Sequence, residues 1–468
     1  MTVSTMIRLL RLPIVLAALA LGPLALAGQA TAVSGTLTED LMPGLKTILA
    51  DAVNLAPTML NQRITLAQTE AAKITAVSGL YPRLTGSAGY GISGVSSASG
   101  NASSSSSSSG FTYGVGISQP LFQEGDVKAR ADIGKLGEEI AKRNYADAYR
   151  TLLGALRSQY TQLIIKKASL AQARLQATMQ EKALAAKKDG IERGVSAPDE
   201  LPAAESVVLS VRLAADRQEQ DFENFKRLFA RLAGQIVFAE SAIPDVLPEP
   251  RLPEETPAAL LDVFLHGGVA ETPVAQSYAL YLRQSDLSSR MAKYANYPKI
   301  GLGAGYSTGA SNSSDSAGNV SSSFVAVRSA SVSMSFTLFD AGAARAGRLS
   351  ALSTKRSYER QLQTYMETTR DEAENRRKQV SLEYRAMQLA ERGLSSAAGA
   401  LHVDKELLAS GQRAEVEVEL SAAAFKAAEI NAFVARANFL QQWSDFVSLV
   451  GADPMMNLLP PSYLSHGK

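Results

Sequence analysis

Cysteine is absent from all 468 residues, which excludes disulfides, thiolate metal centres and a lipid attached through an N-terminal cysteine. Histidine is scarce. His266, His402 and His466 are scattered, lack metal-ligand spacing, and read as surface or helix residues. No phosphate-binding glycine loop or nucleophile elbow is present, and Gly301-x-Gly303-x-Gly305 is a strand-interior glycine alternation rather than a dinucleotide fingerprint. Catalysis, a cofactor and a metal therefore find no support. An excess of one charge is missing too, since 47 Lys and Arg stand against 45 Asp and Glu. That balance leaves no footprint for nucleic acid and no acidic solvating tail. After residue 32 no stretch approaches 18 uninterrupted apolar residues, so no transmembrane helix is expected. A closed β-barrel stays open as a spanning structure, because its strands are short and only alternately apolar.

What is present begins with a leader. Arg8 and Arg11 precede an apolar core from Leu12 to Leu21, then Pro23 and the small-residue signals Ala25-Leu26-Ala27 and Ala30-Thr31-Ala32. This is the layout of a secretory signal peptide, residues 1–32, with cleavage expected after Ala27 or Ala32. The leader holds two of the arginines and no carboxylate, so the mature chain is formally neutral.

The remainder repeats itself. Tyr81-Pro82 and Tyr297-Pro298 are 216 residues apart, each followed by a glycine-rich segment ending at Tyr90 or Tyr306. Ala56-Pro57 matches Thr272-Pro273 at the same offset. Pro120-Leu121-Phe122 with Gly125 matches Thr337-Leu338-Phe339 with Gly342 at 217, as Arg193-Gly194 matches Ser410-Gly411. One unit of about 200 residues is used twice.

Within each unit the hydrophobic period changes. Leu84, Ala88, Tyr90 and Ile92 alternate with Thr, Ser and Gly, and so do Phe111, Tyr113, Val115 and Ile117. The second unit repeats the pattern with Ile300, Leu302, Ala304 and Tyr306, then Val332, Met334, Phe336 and Leu338. Period-two alternation with small polar residues on the other face predicts barrel strands of about ten residues. The polar stretches Ser93–Gly110, with seven serines from Ser103 to Ser109, and Gly309–Ser323 read as hairpin loops.

Between the hairpins the pattern turns helical. Proline is absent between Pro120 and Pro198 and between Pro298 and Pro454. Tyr145, Tyr149, Leu152, Leu156, Tyr160 and Leu163 recur at steps of three and four, a stripe read as a coiled-coil seam. The span from Gln123 to Asp189 would reach about 100 Å as one helix. Four strands are too few to close a barrel, so an oligomer is required.

The duplicated order of helix, Tyr-Pro, strand, loop, strand, Leu-Phe-x-x-Gly, long helix, glycine turn and helix resembles the TolC family of outer-membrane efflux and secretion channels. The resemblance covers about residues 40 to 455. It implies an α+β membrane protein in which three protomers, each giving four strands, close a 12-stranded β-barrel continued by a long antiparallel coiled-coil α-barrel. The implied organisation has a first repeat at 33–258, with a β-hairpin at 82–120 and a tip turn at 190–202. A second repeat at 259–455 has a hairpin at 298–338 and a tip turn at 409–420, followed by a tail at 456–468. The segments around Gln235 to Ala258 and after Ala452 would belt the middle.

The function implied is a passive exit duct of a tripartite efflux or type I secretion system, lodged in the outer membrane and extending into the periplasm. Its partners would be two further copies of itself, outer-membrane lipid, a periplasmic adaptor and an inner-membrane transporter. The competing reading is a surface-adhesive trimer with a barrel anchor and a coiled-coil stalk, which would put one barrel segment at one end of the chain. Cargo, drug or secreted protein, is not legible.

The same resemblance marks residues. Tyr81, Pro82, Gly125, Tyr297, Pro298 and Gly342 fall at the junctions of barrel and helix, and Gly194 and Gly411 in the tip turns. Arg413 would link to Asp199 or Glu200 as a periplasmic gate, and Glu417 would repeat around the axis as an acidic ring favouring cations. The family pattern carries a second acid where this chain has Leu420, with Glu415 and Glu419 nearby. Without the resemblance, these charges read as a solvated helix face.

Overall fold

The computed structural model describes residues 37–464 except 100, 101, 124, 195, 196, 252, 254, 316 and 317. The leader, with both cleavage signals, and His466 lie outside the described residues. Helices α1 (Thr38–Leu41), α2 (Pro43–Leu55) and α3 (Pro57–Ser78) lead into strands β1 (Arg83–Ser99) and β2 (Ala102–Phe122). Helix α4 (Asp126–Glu192) and α5 (Leu201–Ala233) complete the first repeat. After a largely irregular segment come α6 (Thr256–Val263), α7 (Val269–Glu271) and α8 (Pro273–Lys293). Strands β3 (Lys299–Asp315) and β4 (Val320–Ser335) then precede α9 (Ala343–Ala409), α10 (Glu415–Leu449) and α11 (Pro461–Leu464). Pro43, Pro57 and Pro273 each open a helix, where a missing N–H costs nothing. Among the described residues no helix is long and apolar enough to cross a membrane.

The four strands form one antiparallel sheet in the order β1-β2-β3-β4. Register puts the predicted apolar set on one face, with Leu84 opposite Ile117, Tyr90 opposite Phe111, Val115 opposite Tyr306, and Leu302 opposite Val332. The other face is mostly Gly, Ser and Thr, as in Thr85 opposite Gly116 and Gly305 opposite Ser329. A Cβ at Gly110 would sit 2.6 Å from the Ala310 carbonyl oxygen, so the neighbouring strand leaves no room for one there.

The strands are longer than the alternation predicts. β1 and β3 have 17 residues each and β2 has 21, so the serine run lies inside β2 and not in a loop. Once the hairpin register is set, backbone pairing continues through residues that bury nothing. Serine hydroxyls then pair across strands, Ser107 with Ser314 at 2.9 Å and Ser313 with Ser321 at 2.7 Å. β4 is shorter at its other end, closing at Ser335, so Phe336 and Leu338 follow the strand rather than extend it.

Both long helices have 67 residues, about 100 Å. α4 packs against α3 and α5 on one side and α8 and α10 on the other, and α9 packs against α8 and α10. The core lies midway along α4. There the predicted stripe is buried, but so are Ala146, Leu153 and Ile164, which makes it broader than a seam. The reason is what surrounds it: Leu45 and Leu49 of α2, Phe229 of α5, Phe238 and Leu247 of the irregular segment, and Met455 after α10 converge on it. Tyr160, Phe229 and Phe238 stack edge-on or tilted, with centroids 4.9–6.3 Å apart. A true seam appears instead on α9, where Thr369, Ala373, Val380 and Met387 are buried at steps of four and seven.

Candidate functional site

The best candidate is the pair of helical tips. α9 ends in a Schellman turn. Gly411, at φ 74°, donates to the Leu408 carbonyl at 3.0 Å, and the Gln412 N–H donates to the Leu407 carbonyl at 2.9 Å. Gly194 repeats the left-handed conformation at φ 75° after α4. A side chain at these angles meets its own carbonyl, so Gly411→Ala is expected to cost about 1–2 kcal/mol. The readout is faster proteolytic nicking between α9 and α10; nicking at the wild-type rate would show that the turn tolerates the change.

Arg413 leaves this turn toward its own hairpin. Its Nη1 lies 2.6 Å from Asp404 Oδ1 on α9, and its Nε lies 3.0 Å from Glu417 Oε2 on α10. The Asp404 side chain is 9% exposed and also accepts from the Ser421 hydroxyl. Thus the structure brings Arg413 and Glu417 together, and within one chain it does not bring Arg413 to Asp199 or Glu200. Glu200 pairs with Lys187 at 2.7 Å, and that hydrogen bond and charge hold its carboxyl below the usual range. Asp199 has no hydrogen-bond or ion-pair partner among the described residues. The two hairpins are tied to each other by Lys182 of α4 and Glu419 of α10, 2.8 Å apart.

Sequence reasoning missed Asp404 and Lys182. A signal for Asp404 did exist: it stands 35 residues, five heptads, after the buried Thr369, an acid in seam register. Nothing local marks Lys182, whose partner comes from the other repeat.

At the opposite end of the long helices, Gly125 (φ 76°) and Gly342 (φ 92°) sit at the N-caps of α4 and α9. Ala341 precedes the second at φ 50°. Asp340 accepts from Asn296 Nδ2 and the Ala344 N–H, both at 2.8 Å, and from the Gly342 N–H at 2.9 Å. These bonds hold its carboxyl below the usual range, Asn296 contributing most. Asn296 precedes Tyr297-Pro298, so this cap joins the end of α8 to the start of α9. Tyr81 and Tyr297 are exposed. Among the described residues no group of three or more His, Asp or Glu is placed to hold a metal.

The family described as outer membrane efflux protein matches residues 48–230 and 270–452, one match per repeat. The chain belongs to that family, whose members are TolC-type channels rather than enzymes. No curated protein matches it. Among solved structures, the CmeC outer membrane channel of Campylobacter jejuni is similar at TM-score 0.67, with 14% identity over 88% of this chain and 87% of that one. The outer-membrane channel OprN is similar at TM-score 0.65, with 16% identity over 88% and 90%. The open state of the MtrE outer membrane channel of Neisseria gonorrhoeae is similar at 0.62, with 16% identity over 90% and 95%. At such identities the likeness establishes the fold: a unit of β-hairpin and long helical hairpin, built twice, with the two β-hairpins sharing one four-stranded sheet.

Proposed function

We propose that three copies of this chain close into a ring and form the passive exit duct of a tripartite efflux or type I secretion system. The observation that carries this reading is that the protomer has two unlike open edges. On one side of the sheet β1 has no strand partner, and on the other β4 has none. Unpaired edges of this kind close head-to-tail, and three copies of four strands make twelve. Exposed apolar residues face outward along both flanks, among them Leu209 and Leu213 on α5 and Leu382 and Leu389 on α9. The apolar sheet face then meets outer-membrane lipid, and the face rich in Gly, Ser and Thr lines the exit. The helices reach through the periplasm toward an adaptor and an inner-membrane pump, which supplies the energy.

The tips act as the gate. Arg413 is anchored by Asp404 and screens Glu417, while Lys182 and Glu419 hold one hairpin against the next. Asp199 and Glu200 remain the carboxylates that a neighbouring protomer's Arg413 can reach. In planar bilayers, wild-type protein is expected to form a pore of low resting conductance. Arg413→Ala should raise conductance several-fold and bare Glu417, sharpening cation preference; Glu417→Ala should abolish that preference. A pore never seen, or one indifferent to both substitutions, would remove the duct reading or the gate respectively.

A further inference from the structure

The apolar face of the sheet carries a single charge, and nothing in the sheet answers it. Along β4 that face reads Phe324, Ala326, Arg328, Ala330, Val332 and Met334, with Tyr306 directly opposite Arg328. Arg328 is exposed and makes no hydrogen bond or ion pair among the described residues. The other basic residues of the strands, Arg83 and Lys299, occupy odd positions of β1 and β3, which belong to the opposite face.

A second copy cannot supply the missing anion from its strands. β1, β2 and β4 contain no Asp or Glu. The one carboxylate of β3, Asp315, is paired with Ser106 on the Gly and Ser face. Closing β4 of one protomer against β1 of the next therefore leaves the guanidinium unanswered. A bare charge on a lipid-facing strand is costly in a depth-dependent way. The counter-charge has to come from the surroundings of that face.

We infer that Arg328 is a docking point for the phosphate of a membrane-lipid headgroup, an inference that rests on reading the sheet as part of an outer-membrane barrel. Depth permits it. Tyr90, Phe111, Ala310 and Phe324 share one row of the sheet, the aromatic margin of the apolar band on the side away from the helices. Arg328 is four residues from Phe324, about 13 Å along the strand and about 10 Å in depth at a tilt of about 40°. The arginine stem lies over apolar surface while its head rises toward the headgroups. On the way to the Phe324 row the stem passes Ala326 and its partner Thr308, both small. The planar guanidinium fork matches two phosphate oxygens, and the Tyr306 ring beside it gives the stem a wall.

The test is native mass spectrometry of the full-length mature protein, purified from membranes and offered lipid A with its phosphates or lipid A stripped of them. The phosphorylated lipid should be retained at one per chain, and Arg328→Gln should retain about tenfold less, the loss of one charge-assisted contact. Arg328→Lys should keep part of the retention, since the charge stays and only the fork is lost. Excess inorganic phosphate should not displace the lipid. Equal retention by Arg328→Gln, equal binding of the stripped lipid, or displacement by inorganic phosphate would overturn the inference. The same spectra report assembly. A protein that assembles and holds lipid indifferently sinks this inference alone, whereas one that never assembles sinks the duct.

Discussion

Arg157→Leu is expected to destabilise the folded chain by about 3–5 kcal/mol, the cost of leaving buried carboxylates unpaired. Arg157 stands midway along α4 and its side chain is 1% exposed. It forms two forked pairs. Nη2 and Nε meet Glu39 of α1 at 2.6 and 3.1 Å, while Nη1 and Nη2 meet Asp453 of the C-terminal segment at 2.5 and 3.0 Å. Burial alone would lower the guanidinium pKa, but Asp453 and Glu39 together hold it above its ordinary value, so it stays charged wherever the protein is folded. The region is poorly screened. Nearby Asp445 is pushed above the usual carboxylate range by burial, against the opposing pull of Arg376 and Arg157. Replacing Arg157, Glu39 and Asp453 together with apolar residues of similar volume should restore most of the loss, because a fully apolar site leaves no orphan charge. The measurement is the denaturant midpoint of purified protein. A single substitution with a wild-type midpoint would mean that water reaches the cluster.

That cluster also shows where sequence reasoning stops. Its members are separated by 118 and 296 residues, so no local pattern can join them. What was legible was whatever the chain states locally and then repeats. Tyr-Pro, the alternating strands and the left-handed glycines Gly125, Gly194, Gly342 and Gly411 each report a backbone requirement over a few residues, and duplication at 216–217 confirms it. Strand length was not legible in Ser103–Ser109, because a run of one small polar residue has no hydrophobic period to read. Its pairing is inherited from the register set lower in the hairpin. The stripe on α4 was legible as buried, but not its breadth, which depends on four segments distant in sequence. At the tips, resemblance pointed to Arg413 and Glu417, and the structure adds the buried Asp404 that holds the arginine.

The second large effect is expected at the open flank of α9. Leu382, Leu389 and Val403 stand on heptad spacing and are 59%, 72% and 51% exposed, on a face turned away from the seam that α9 makes with α10. This is a second seam without a partner in its own chain. Val207, Leu209 and Leu213 of α5, 46–66% exposed, form the flank available to meet it in the next protomer. A leucine side chain fully buried there contributes about 1.5–3 kcal/mol, and a closed trimer repeats the contact three times. Leu382→Glu with Leu389→Glu replaces that gain by the desolvation of two carboxylates per interface, a penalty no exposed ion pair can offset. The double variant should therefore run as a monomer in mild detergent, where wild type is expected to run as a trimer. Its helical content should be unchanged, since neither side chain belongs to the buried core of its own chain. Leu389→Met, which conserves volume and polarity, should remain trimeric. Persistence of the trimer with both glutamates in place would show that α9 faces solvent or the duct rather than a neighbour, and the flanks proposed for closure would have to be exchanged for others. A monomer that has also lost helix would place those leucines inside the protomer instead, which their exposure argues against.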